Sequence, residues 1–182
     1  MSLDVDEDEH SIEMHLPYIA YRMPSKKNSF TIVPILVGSL SYSNEEVYGK
    51  ILAPYLADTN NLFIISSDFC HWGSRFSFTY RYPTQNSSTP IFKQIEEMDK
   101  EGMSFIERLD VKGFKQYLKS TRNTICGRHP IGVLLNAIVQ CSPSWENINI
   151  KFVKYAQSNQ VKHEKESSVS YASAYLSASL KK

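Results

Sequence analysis

Leu62-Phe63-Ile64-Ile65-Ser66-Ser67-Asp68-Phe69-Cys70-His71-Trp72-Gly73 is the stretch on which the fold turns. Its first four residues are all apolar, whereas a strand covered on one side alternates, so the run reads as a strand buried on both faces. It stops abruptly at a polar string. Phe30 to Val37 (FTIVPILV) has the same character, with Pro34 implying an edge position or a bulge. Asn149 to Tyr155 and Val169 to Tyr175 read as closing strands. Strands that alternate with helices of about ten residues or more predict an α/β fold, a largely parallel sheet flanked by helices. In such sheets ligands sit beyond the carboxyl ends of the strands, where Asp68 and His71 lie.

The helices come from apolar spacing. His10 to Met23 places Ile12, Leu16 and Ile19 on one face, with Pro17 expected to bend or end it. Ser43-Asn44-Glu45-Glu46 has the form of a capping box, followed by Val47, Ile51 and Tyr55 as a buried face and Pro54 as a kink. Ile91, Ile95, Met98, Phe105 or Ile106, and Leu109 give a long helix, and Val111, Phe114 and Leu118 restart after Asp110 as a shorter one. Pro130 suits a first helical turn, and Ile131, Leu134, Leu135 and Ile138 form that helix's buried face. Tyr82 to Pro90 reads as a loop, with Asn86-Ser87-Ser88 a formal glycosylation acceptor on it.

A length of 182 residues fits one domain over 1–182. With 42% apolar and 21% charged residues the chain lies outside the composition of disorder. Twenty basic against 19 acidic residues leave a formal charge of +1, which disfavours nucleic acid as a partner. The glycines nowhere form G-x-G-x-x-G, and after Gly127 and Gly132 the positions that need Lys and Ser/Thr hold Val133 and Leu134. Three cysteines without C-x-x-C spacing argue against a disulfide framework and a four-cysteine zinc site. The acidic start resembles no targeting segment, and the apolar runs are too short for membrane insertion, so a cytoplasmic or nuclear location is expected.

Two segments can carry chemistry. Asp68 stands three residues before His71, where a carboxylate can orient an imidazole and raise its basicity as a general base requires. The alternative is a solvated turn in which Asp68 caps backbone amides. Cys126-Gly127-Arg128-His129-Pro130 precedes a helix, and a thiol beside a helix N-terminus and Arg128 has its ionised form favoured, as nucleophile or metal ligand. Against this, a lone cysteine is more often a small buried apolar residue, the role expected of Cys70 and Cys141. His10 and Glu13 share a helix face, but His15 lies five residues from His10, which fails both zinc-helix spacings. His163 reads as solvated.

Asp6–Pro17 (DEDEHSIEMHLP), Ser66–Gly73 (SSDFCHWG), Asn123–Gly132 (NTICGRHPIG), Tyr155–Ser158 (YAQS) and Ser167–Ala172 (SSVSYA) together resemble the Memo family, linked to receptor-driven cell motility. The strings occur in family order across nearly the whole chain. That family is similar in fold to the class III extradiol dioxygenases. The resemblance implies an iron or copper centre with Cys126 as one protein ligand, His71 as the proton-transfer residue, Asp68 orienting it, and Arg128, His129 and His10 lining the cleft. A thiolate is a softer donor than a carboxylate and suits iron or reduced copper.

The resemblance also implies a preceding segment with early strands and two histidine ligands, so the centre is expected to be incomplete here and the sheet to show an unpaired edge. Two functions are then open: a metal-dependent redox role in motility signalling, and a non-catalytic module for phosphotyrosine-containing receptor peptides and cytoskeletal signalling proteins. The short chain by itself is expected to be inactive and to hold metal weakly, because affinity follows ligand count.

Overall fold

The protein, as a computed structural model, is described at residues 2–23, 29–83 and 89–181. The chain divides into two compact units, Met1–Ser39 and Leu40–Lys182. The glycosylation acceptor falls in 84–88, outside the described residues.

In the first unit, helix α1 spans Leu3–Glu7, and a 3-10 turn at Glu13–His15 runs into helix α2, Leu16–Arg22. Pro17 does not bend a longer helix. It occupies the first turn of α2, where its missing N–H costs nothing. Phe30–Val37 is not a strand: no ladder pairs with it among the described residues, and Val33 is 80% exposed. Apolar β-branched residues satisfy only half of what a strand needs, the other half being a neighbour for the backbone.

The second unit contains helices α3 (Tyr42–Ala57), α4 (Ile91–Glu107), α5 (Val111–Thr121) and α6 (Arg128–Cys141), with strands β1 (His71–Trp72), β2 (Trp145–Gln157) and β3 (Ser168–Leu180). The sheet order is β1-β3-β2 and both pairings are antiparallel. The expected largely parallel, dioxygenase-like α/β sheet is therefore not what forms. Among the described residues, the second unit has four α-helices and a three-stranded antiparallel sheet. Among the described residues Leu62–Ile65 joins no ladder, with Leu62 72% exposed. Backbone bonding to β3 starts where the Phe69 amide donates to the Ser170 carbonyl at 2.8 Å and the Ser170 amide to the Cys70 carbonyl at 2.9 Å, just before His71↔Val169 and Trp72↔Ser168. The polar string was expected to follow a strand; part of it is the strand. Gly73 ends β1 at φ 120°, and a Cβ there would lie 2.6 Å from the Glu166 carbonyl oxygen, so only glycine fits.

The later helices follow their apolar spacing. Ile95, Met98, Ile106, Phe114, Ile131, Leu135 and Ile138 are buried, and Asp110 caps α5 by accepting the Gly113 amide at 2.8 Å. The hairpin β2–β3 is longer than expected at both strands. Cys70 and Cys141 are buried as packing residues and His163 is exposed.

Helix α3 differs from its pattern. Ser41, not Ser43, caps it by accepting the Asn44 amide at 3.2 Å, and Glu46 pairs with Lys50 instead of reaching back. Glu45, Gly49 and Ala53 are its buried residues, while Val47, Ile51 and Tyr55 are exposed. Small residues win this face because α3 and α6 approach closely: a Cβ on Gly49 would sit 2.6 Å from the Asn136 Cβ and 3.0 Å from the Ala137 nitrogen. The Gly49→Ala variant separates two effects. Helix propensity alone favours alanine by about 1 kcal/mol, whereas overpacking costs about 1–3 kcal/mol. The expected outcome in urea unfolding is a lower midpoint; a raised midpoint would refute the close packing.

Candidate metal centre

Two segments distant in sequence meet at the start of β1 and the start of α6. Side chains join them. The Asp68 amide donates to the Cys126 sulfur at 3.0 Å, and the Gly127 amide donates to the Ser67 hydroxyl at 2.9 Å. The Thr124 hydroxyl accepts the His71 amide at 2.7 Å and donates to the His71 carbonyl at 3.0 Å. The Asp99 carboxylate accepts the Cys70 amide at 3.2 Å and the Asn123 side-chain amide at 2.9 Å. Gly127 permits the approach, since a Cβ there would lie 2.6 Å from the Ser66 carbonyl oxygen.

This meeting gathers Asp68, His71 and Cys126, with one donor atom of each within 4.8 Å of the others. The His71 Nε2 to Asp68 Oδ2 separation is 3.7 Å, an ion-pair distance too long for a hydrogen bond. His71 Nε2 is buried and has no hydrogen-bond partner, and its ring meets Phe76 edge-on at 5.1 Å. Cys126 is exposed. Burial pushes its thiol up, but His71, the Asp68 amide and the Ser67 hydroxyl together outweigh that and bring it below the ordinary thiol range. The facing Cys126 sulfur in turn raises the His71 imidazole above its usual value, despite partial burial. The two shifts are reciprocal, the charged form of each group favouring the charged form of the other.

The donor set fits a first-row metal. Bonds of about 2.0–2.3 Å place two ligands of one ion roughly 3–4 Å apart, the scale of this cluster. The orphaned His71 nitrogen and the thiolate-favouring sulfur are the atoms such an ion would engage or border.

Of the residues singled out in the sequence, Asp68, His71 and Cys126 converge. Arg128 and His129 lie on the first turn of α6. Arg128 donates to the Ile125 carbonyl at 3.1 Å, and His129 Nδ1 lies 2.7 Å from the Glu45 carboxylate. Both line a cavity of about 350 Å³ together with Tyr42, Glu45, Arg122 and Thr124. His10 belongs to the unit Met1–Ser39. Glu45, Asp99, Asn123 and Thr124 escaped the sequence reading. Glu45 carried a faint signal, standing four residues before Gly49 and eight before Ala53 on the small-residue face of α3. Burial pushes its carboxyl up and His129 draws it back down.

Iodoacetamide reports the thiolate directly. With the Cys126 pKa lowered, alkylation should rise with pH before an ordinary thiol near about 8.5 would respond. The His71→Gln variant removes the imidazole that lowers the thiol pKa and should slow alkylation near neutral pH roughly three- to tenfold. Identical profiles for the two proteins would show that the pair does not interact.

A Memo-like protein family profile matches residues 1–175. Protein MEMO1 of Homo sapiens and that of Rattus norvegicus are each 56% identical over 176 residues, covering 97% of this chain and 58% of theirs. Protein memo-1 homolog of Caenorhabditis elegans is 53% identical over 172 residues, covering 94% of this chain and 48% of its own. The chain thus spans between about half and three-fifths of the length of these relatives. With the family profile running through the Asp68, His71 and Cys126 segments, the chain belongs to the Memo-like family.

Proposed function

We propose that this Memo-like chain contributes to a metal-dependent redox site, with iron or copper held through the Cys126 thiolate and His71 handling protons beside it. The observation that carries the reading is the convergence of Asp68, His71 and Cys126 within 4.8 Å, with His71 Nε2 buried and unpartnered. A bound iron or copper ion would supply one-electron chemistry toward oxygen or a peroxide. The chain's own residues do the rest. The Asp68 amide holds the sulfur, the Asp68 carboxylate favours the charged imidazole, and His71 Nε2 takes or returns a proton at the site.

Two further histidine ligands of the kind the family resemblance implies would complete the proposed centre. The full protein's role in motility signalling is part of the same proposal. This chain alone should carry well under one equivalent of metal when purified. Added copper(I) or iron(II) should bind weakly, and Cys126→Ser should reduce that affinity by roughly tenfold or more. Metal-dependent oxygen consumption that survives His71→Gln unchanged would remove His71 from the chemistry. Tight binding untouched by Cys126→Ser would remove the thiolate.

One observation favours a second reading, the binding of a phosphotyrosine-containing receptor peptide. The cavity beside α6 is lined by both Arg122 and Arg128, and paired guanidiniums suit a phosphate dianion. Titration with such a peptide should give saturable binding that Arg128→Ala weakens about tenfold or more. Equal binding by an unphosphorylated peptide would refute it.

A further inference from the structure

Asp99, on α4, is completely buried, and among the described residues no cation pairs with it. Burial accordingly pushes its carboxyl up. Its partners are all hydrogen-bond donors. Oδ1 accepts the Cys70 amide at 3.2 Å and the Asn123 side-chain amide at 2.9 Å, and Oδ2 accepts the Tyr155 hydroxyl at 2.9 Å. The Tyr155 hydroxyl is joined in turn to Ser170 at 3.1 Å and Gln157 at 2.8 Å, and Asn123 also donates to the Tyr117 hydroxyl at 2.7 Å. A well-packed apolar residue serves stability at such a place at least as well as an ionisable one. What a hydrocarbon side chain cannot do is hold the backbone amide of one segment and the side-chain amide of another at hydrogen-bond distance from one atom.

The placement of Oδ1 gives that ability a use. Cys70 lies between Asp68 and His71, and Asn123 stands next to Thr124, which clamps the His71 backbone, and three residues before Cys126. One oxygen is therefore shared by the two segments that present the imidazole and the sulfur. We infer that Asp99 is a positioning residue of the Asp68–His71–Cys126 site: through Oδ1 it sets segment 67–72 against segment 123–127 and so holds His71 opposite Cys126. The inference rests on the reading of that trio as the functional site. Asp99 itself touches none of its three side-chain donor atoms.

The test is Cys126 alkylation across pH in metal-free full chain, with urea unfolding run in parallel. Asp99→Asn keeps an oxygen at the shared position, and the Tyr155 hydroxyl can turn to accept from the new amide. Asp99→Leu keeps the branched heavy-atom skeleton, though it is bulkier, and loses both acceptors. Where Asp99→Leu does not fold, Asn123→Ala severs the other arm of the same bridge. Asp99→Asn should alkylate within about twofold of the parent near neutral pH, while Asp99→Leu or Asn123→Ala slows at least about threefold, with the rise moved to higher pH, since rate follows thiolate fraction.

Folded but less stable variants with the parent's alkylation profile would overturn the inference and leave Asp99 a core residue only. So would Asp99→Asn as impaired as Asp99→Leu, because the shared oxygen would then not be what matters. Metal titration on the same proteins keeps the two ideas apart. A shifted profile with no metal binding in the parent sinks the redox reading alone, and an unshifted profile with metal bound sinks the positioning role alone.

Discussion

The site depends on a junction made without a β-ladder. Segment 67–71 and segment 123–127 lie side by side, yet they are linked through side chains: the Ser67 and Thr124 hydroxyls, the Cys126 sulfur, and the Asp99 carboxylate, which reaches the second segment at the Asn123 side-chain amide. Backbone amides left over at the end of a short strand and before a helix must find acceptors somewhere when water is excluded. Here four side chains provide them. One of the four acceptors is the candidate metal-binding sulfur, so the bond that ties the segments together also favours the charged form of the thiol.

The helices α3 and α6 carry the second half of this arrangement. They meet across Gly49 and Gly132, and the room above Gly132 is filled by the Glu45 carboxylate, whose oxygen would be 2.6 Å from a Cβ placed there. Glu45 in turn fixes the His129 ring, one turn after Cys126. A buried hydrogen bond of this kind is costly to break from one side and gains little overall. Its effect is on geometry. It holds the first turn of α6, and with it the rim residue Arg128, in one orientation relative to α3.

What the sequence makes legible divides along the range of the interactions involved. Helices α4, α5 and α6 follow apolar spacings that a few turns of chain contain in full, and the β2–β3 hairpin follows its β-branched and aromatic runs. Leu62–Ile65 and Phe30–Val37 have the composition of strands, but a strand is completed by a partner that composition does not name. Helix α3 misleads for a related reason: its largest apolar residues lie outward because the facing helix leaves room only for small ones. The functional residues show the same division. Asp68, His71 and Cys126 stand out as polar groups in apolar surroundings, while Asp99, Asn123 and Thr124 matter only for what they touch across the fold.

The contact between Asp68 and Cys126 spans 58 residues, and α4 and α5 lie between them. During synthesis the aspartate and histidine leave the ribosome well before the cysteine exists, and closing so long a loop has an entropic cost that only the packed helices offset. The thiol of a nascent or unfolded molecule is consequently an ordinary one, mostly protonated and sluggish toward oxidants. The lowered pKa of Cys126 is a property of the finished fold, in which His71, the Asp68 amide and the Ser67 hydroxyl stand beside the sulfur.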